Sequence, residues 1–174
     1  MFKRYCVLSG LLFLAFYLTG CASISRGGRT RSDETRTSRE QNKVFTGNPG
    51  QKIIKAGEFI AFEKKRVILG SCWDFINAVY NEAGYTENKR VVVFKGSQNG
   101  PYANPGELKA GDWVMHINIE FNNVEHSSIF IRWVDRGRKI AKVLDYAGMN
   151  KAQPGGYDEH TYSKIFCIVR PTEE

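Results

Sequence analysis

One amphipathic helix near the middle of the chain constrains the fold more than any other feature of the sequence. Apolar side chains recur there at the i, i+3, i+4 and i+7 spacing of a face that packs against a core; they are Phe75, Ile76, Val79, Tyr80 and Ala83. Ser71 is a favourable N-cap, and Asp74 completes the pattern of a capping box. Gly84 suits the position just past a helix end. The pattern predicts a helix over about residues 72–83, with Cys72 in its first turn.

After this helix the sequence contains only short runs of strand-like composition, separated by turn residues. The runs lie at residues 91–94, 112–120, 127–134, 139–146 and 164–170. One helix followed by successive short strands is typical of an α+β domain with an antiparallel sheet. The earlier stretch at 53–62 fits either a helix or an edge strand, and the sequence leaves both open.

The first twenty residues have the pattern of an export signal. Lys3 and Arg4 give a positive start, and the apolar run at 7–18 is too short to span a membrane comfortably. The tetrapeptide LTGC, which ends at Cys21, resembles a bacterial lipobox, whose cysteine becomes the lipidated first residue after cleavage. We therefore expect residues 1–20 to be a lipoprotein signal peptide and Cys21 to be a membrane anchor. An uncleaved, slightly short signal anchor is the alternative.

The composition of the segment after Cys21 predicts that it does not fold. Residues 22–43 are rich in Ser, Thr, Arg and Gly and have almost no large apolar side chains, so burial cannot offset their ordering entropy. With Cys21 they predict a lipidated, flexible, basic tether over 21–43. The whole chain carries a formal charge of +7, but residues 44–174 carry only +2. That near balance argues against a nucleic-acid partner, and the length of 44–174 suits one domain.

The cysteine pattern bears on metals and disulfides. Of the four cysteines, Cys6 would leave with the signal and Cys21 would be lipidated, so Cys72 and Cys167 remain in the domain. The sequence has no C-x-x-C pair and no Cys/His cluster, and it therefore predicts no metal site and no cofactor. In an oxidising compartment Cys72 and Cys167 could instead form a disulfide.

The predicted position of Cys72 favours chemistry at its thiol. Unpaired N–H groups and the positive end of the helix dipole favour the thiolate over the thiol at a helix N-terminus. The thiolate is the nucleophilic form, and we therefore expect Cys72 to be a nucleophile. A small core residue is the alternative, because most cysteines are buried.

A nucleophilic cysteine needs a base, and the chain has three histidines. His126 stands at the entrance of a predicted strand, beside small residues that leave room for a substrate. His116 lies inside an alternating run and would face either solvent or a satisfied core position. His160 is expected in a polar, Gly-preceded loop at the surface. His126 is therefore the expected base.

A predicted hairpin supplies a partner for His126. A two-residue turn at 136–137 would pair Ser128 with Asp145 and make Asp145 the diagonal neighbour of His126, within reach of a ring nitrogen. A slip of one residue would put Tyr146 there instead. We expect Asp145 to orient His126, and an exposed strand carboxylate is the alternative.

Three blocks of the sequence carry a family resemblance. They are GSCWDFI at 70–76, LKAGDWV at 108–114 and HSSIFI at 126–131. In this order they resemble the NlpC/P60 superfamily of papain-like cysteine hydrolases, whose relatives include CHAP-type amidases. The resemblance implies a papain-like fold in the 44–174 domain, with Cys72 as nucleophile, His126 as general base and acid, and Asp145 as the orienting residue.

By that likeness the chain would be a lipid-anchored enzyme that cleaves amide bonds in the peptide stems of peptidoglycan. Its partners would be those stems and, through Cys21, the membrane. It would lie on the periplasmic side of a bacterial cell envelope, with the outer membrane favoured over the inner. Candidate substrate contacts are Ser71, Trp73, Ser127 and Tyr146. The alternatives are an inactive binding or scaffold lipoprotein, and an acyltransferase or deamidase acting on another exported substrate.

Overall fold

The first helix of the domain and its π-helical turn cover the stretch at 53–62, for which the sequence left a helix and an edge strand open. The computed structural model describes residues 44–173, so the predicted signal peptide, Cys21 and the tether lie outside the described residues. Helix α1 spans Pro49–Glu58 and continues as a π-helical turn over Phe59–Glu63. It begins with a capping box, in which Asn48 Oδ1 accepts from Gln51 N at 3.0 Å and Gln51 Oε1 accepts from Asn48 N at 3.1 Å. The stretch at 53–62 is therefore helical and not an edge strand.

The predicted central helix is confirmed. Helix α2 spans Cys72–Glu82, and its apolar face is buried. Both the backbone N–H and the hydroxyl of Ser71 donate to Asp74 Oδ2, at 2.7 and 2.8 Å, and these bonds fix the first turn. Gly84 follows the helix with φ of +86°, a conformation that glycine adopts without strain.

Six strands form one antiparallel sheet in the described residues. They are β1 (Arg90–Lys95), β2 (Trp113–Asn118), β3 (Val124–Asp135), β4 (Ile140–Asp145), β5 (Gly156–Thr161) and β6 (Ile165–Pro171). Their order in the sheet is β1-β6-β2-β3-β4-β5. The domain is thus α+β, and all five predicted strands are present. Strand β5 was not predicted, because its sequence, GYDEHT, is polar and directly follows a Pro-Gly turn signal.

The hairpin of β3 and β4 has the predicted register near Asp145, but its turn differs from the predicted one. Ile129 faces Leu144 and Phe130 faces Val143, the pairing expected from a two-residue turn. The turn is longer, however, and covers residues 136–139. Two register shifts on the way, between Phe130 and Arg132 and between Trp133 and Asp135, restore the expected pairing near Asp145.

A buried polar turn joins the helices to the sheet. Asp112 is fully buried and accepts from Lys109 N at 2.8 Å, while Arg170 Nε and Nη2 each approach one of its carboxylate oxygens at 2.7 Å. The hydroxyl of Tyr80 accepts from Trp113 N at 3.0 Å and donates to Gly111 O at 2.8 Å. These contacts fasten helix α2 to the point at which β2 begins.

Helix α1 approaches the same turn so closely that only glycine fits. A Cβ on Gly50 would lie 1.9 Å from Ala110 O, and a Cβ on Gly111, whose φ is +89°, would lie 2.3 Å from Gly50 Cα. Both obstacles are backbone atoms, which cannot rotate away as a side chain could. The helix and the turn are therefore in direct backbone contact.

We expect Gly50→Ala to lower the free energy of unfolding by about 2 kcal/mol or more, because the new methyl group forces the helix and the turn apart. Equilibrium urea unfolding followed by circular dichroism measures the change. Glu82→Ala, at an exposed position of α2, is the control and should change the free energy of unfolding by less than about 0.5 kcal/mol. Equal stability of the Gly50 variant and the wild type would contradict the close contact.

Within the described part of the chain, no helix has the length and apolar character needed to cross a membrane.

Candidate active site

Two of the predicted site residues are in contact across the hairpin. His126 Nε2 lies 2.9 Å from Asp145 Oδ2, and only 15% and 16% of the two side chains remain exposed. The restored register of β3 and β4 causes this contact, because it makes Asp145 the diagonal neighbour of His126. The predicted approach of the carboxylate to the ring is therefore present.

The thiol of Cys72 reaches the same histidine from the first turn of α2. Cys72 is half-buried, and it lies close enough to His126 for the thiol to raise the pKa of the ring. Since Nε2 of His126 is engaged by Asp145, Nδ1 is the ring nitrogen left for the sulfur. Thiol, imidazole and carboxylate thus form one interacting series with the imidazole in the middle.

Neither cysteine of the domain takes part in a disulfide. Cys72 and Cys167 both remain thiols, and only 1% of Cys167 is exposed. A bond between them, which the sequence left open, is absent from the described residues. Cys167 lies in β6, where it packs in the core as its apolar neighbours indicated.

The charges of the series follow from its hydrogen bonds. Burial alone would lower the pKa of His126, but the bond to Asp145 and the interaction with Cys72 outweigh burial and raise the pKa to about 9. Burial alone would raise the pKa of Asp145, but its bonds to His126 and His160 lower it to about 2. At neutral pH the ring and the carboxylate therefore form an ion pair.

The expectation for His160 was wrong, since this residue is buried and belongs to the site. Only 3% of His160 is exposed, and its Nε2 lies 3.1 Å from Asp145 Oδ2. Its Nδ1 lies 3.3 Å from Nε2 of His116, which is fully buried. The sequence signal was weak, because a lone histidine in a polar edge strand is usually exposed. His160 is two residues from the buried Tyr162, and residues at this spacing share one face of a strand, which was the one usable clue.

His116 takes the core position that the sequence left as one of two options. Burial, followed by the charges of His160 and His126, holds its pKa well below the ordinary range of histidine. Its ring lies edge-on to His126, with 5.7 Å between the centroids. Its Nδ1 has no hydrogen-bond partner. His116 is therefore a neutral ring that packs behind the site.

The four candidate substrate contacts differ in what they present to solvent. Trp73 follows Cys72, is 38% exposed and packs on Trp113 with ring centroids 5.3 Å apart. Ser71 is committed to the helix cap. Ser127 is buried, and so is Tyr146, whose hydroxyl donates to Ile68 O at 2.7 Å. Ser127 and Tyr146 thus have packing roles here, and Trp73 is the aromatic residue that offers a surface beside the thiol.

The arrangement offers two kinds of chemistry. A cysteine sulfur beside an imidazole can attack a carbonyl carbon, and the ring can pass a proton to the leaving group. Three atoms, His126 Nε2, Asp145 Oδ2 and His160 Nε2, also lie within 4.8 Å of one another and could hold a metal ion. The sequence expectation of no metal site overlooked this cluster, because its members come from three strands.

Comparisons with known proteins identify no family and no relative, so a functional assignment depends on the geometry of the site. A scan against protein-family models finds no match, and searches of curated proteins and of solved structures find none either.

Proposed function

We propose that the chain is a cysteine hydrolase of the NlpC/P60 type that cleaves amide bonds in the peptide stems of peptidoglycan. The observation that carries this proposal is the series in which Cys72 interacts with His126 and His126 contacts Asp145 at 2.9 Å. Each member occupies the place that the reaction needs: a nucleophile at a helix start, a base beside it, and an acceptor behind the base.

The reaction would proceed through an acyl-enzyme. The sulfur of Cys72 attacks the amide carbonyl, and the bond to nitrogen breaks as Nδ1 of His126 gives its proton to the leaving amine. Water then attacks the thioester and gives one proton to the same nitrogen. The bond to sulfur breaks, which releases the carboxylic acid and leaves the Cys72 thiolate beside the reprotonated ring. Asp145 holds the ring in the required orientation throughout.

The first turn of α2 supports the charged intermediate. Backbone N–H groups at a helix start have no partner within the helix, and the N–H of Cys72 lies there. It would donate to the oxyanion that forms when the sulfur attacks. The same turn thus positions the nucleophile and stabilises its product.

The choice of substrate rests on the sequence. The predicted lipoprotein signal and basic tether would place the domain beside the cell wall. The order of the blocks, with cysteine on a helix, then the L-x-x-G-D turn, then histidine on a strand, supports the papain-like NlpC/P60 assignment. The α+β arrangement is compatible with that assignment.

Digestion of purified peptidoglycan by the full-length protein tests the proposal. We expect mass spectrometry to find fragments with a new amino end and a new carboxyl end within the stem peptide. Prior alkylation with iodoacetamide should stop their release, because it blocks Cys72. Unchanged peptidoglycan, or release that survives alkylation, would rule the proposal out.

A further inference from the structure

We propose that His126, Asp145 and His160 form a binding site for a divalent transition-metal ion of the zinc type, and that the bound metal inhibits the hydrolase. The inhibition rests on the proposed function, whereas the binding does not. Two imidazole nitrogens and one carboxylate oxygen are a ligand set that zinc accepts in proteins, with a further position open to water.

The spacing of the three ligand atoms fits this set. His126 Nε2 and His160 Nε2 lie 2.9 and 3.1 Å from the same oxygen of Asp145. Tetrahedral zinc with bonds of about 2.0–2.1 Å separates neighbouring ligands by about 3.3 Å. A small outward movement of the Asp145 carboxylate would admit the ion, with the two ring nitrogens, which lie within 4.8 Å of each other, adjusting to a similar spacing.

Both rings are already oriented by their other nitrogens. Nε2 of His126 faces Asp145, which leaves Nδ1 for the interaction with Cys72, and Nδ1 of His160 lies 3.3 Å from His116 Nε2. Metal-binding histidines in proteins commonly have such a partner, which fixes the ring and its tautomer. With its proton on Nδ1, His160 would donate to His116 and direct the Nε2 lone pair at the metal.

Burial adds to the fit. The side chain of His160 is 4% exposed, and those of His126 and Asp145 are 15% and 16% exposed. Little water competes for these atoms, while the remaining exposure leaves a route for an ion. Each ligand also stands on its own strand, and the three strands are neighbours in the sheet, so the three atoms converge on one point.

A metal bound to Nε2 of His126 would slow the proposed hydrolysis, because this ring must donate a proton to the leaving amine. Binding replaces any proton held on Nε2, and that proton leaves to solvent. The ring then holds one proton, on Nδ1, and giving it to the leaving amine would produce a metal-bound imidazolate. A neutral imidazole is a far weaker acid than an imidazolium, so breakage of the amide bond becomes slower.

Calorimetric titration of the full-length protein with zinc chloride tests the binding. The titration uses Cys72→Ala as the background, so that the thiol contributes nothing. We expect one ion per chain, and at least about 100-fold weaker binding when His160→Asn is added. Glu159→Gln, an exposed neighbour on the same strand, is the matched control and should leave the affinity unchanged.

Circular dichroism checks that each variant folds. A second variant, His126→Asn on the Cys72→Ala background, removes another of the three ligands. Failure of the Cys72→Ala protein to bind zinc would overturn the site. So would unchanged affinity in either folded histidine variant.

The inhibition is measured separately, as release of peptidoglycan fragments by the wild type with zinc and then with a chelator. We expect zinc to suppress release and the chelator to restore it. Faster release with zinc would overturn the inhibitory role. Should no release occur under any condition, the hydrolase function fails, while calorimetry still decides the metal site.

Discussion

Cys72→Ala is expected to reduce the release of peptidoglycan fragments by about 10³-fold or more, because no other group in the series can form the acyl-enzyme. The fold should survive, since the side chain is half-buried at the first position of α2 and alanine is a good helix former. Initial rates of fragment release, compared at equal protein concentration, measure the effect. A thermal unfolding curve close to that of the wild type would show that the loss is chemical.

Cys167→Ala is the matched control, since it removes the other thiol of the domain from a buried strand position. It should keep most of the activity even if it loses some stability. Residues that act as a unit are not additive, so adding His126→Ala to Cys72→Ala should cost little more than Cys72→Ala alone. Equal rates for Cys72→Ala and the wild type would remove Cys72 from the mechanism.

Arg170→Met should destabilise the domain by about 3–5 kcal/mol, because it leaves the carboxylate of Asp112 buried without its cationic partner. Asp112 is fully buried, and the two short bonds from Arg170 are its charge-assisted contacts. Lys109 N alone would remain as donor. Equilibrium urea unfolding gives the change in the free energy of unfolding.

The exposed pair of Lys52 and Glu173 provides the control. Its N–O distance of 2.7 Å equals that of the buried pair, but its side chains are 29% and 59% exposed. Lys52→Met should therefore cost less than about 1 kcal/mol. Similar losses in the two variants would show that burial of Asp112 does not set the cost.

Local rules were sufficient to predict part of the fold. Helix α2 was predictable because capping and apolar spacing agree, and both are properties of neighbouring residues. The contact between His126 and Asp145 was predicted from a turn that is in fact longer. It was still correct because later register shifts compensate, and nothing in the sequence of the turn indicates those shifts.

The contribution of His160 could not be predicted in the same way. Strand β5 has the composition of a loop, and its pairing with β4 decides whether His160 reaches Asp145. That pairing depends on tertiary packing and not on local spacing. A search for metal-ligand spacing along the chain failed for the same reason, since residues 126, 145 and 160 are far apart in sequence.

Strand β5 pairs only with β4, so it borders the sheet, whereas β3 and β4 have neighbours on both sides. Border strands are the first to open when a domain fluctuates, because fewer hydrogen bonds hold them. Brief detachment of β5 would withdraw His160 and leave Cys72, His126 and Asp145 assembled. Amide protons of β5 should accordingly exchange with solvent sooner than those of β3, and an ion bound to His160 should slow that exchange.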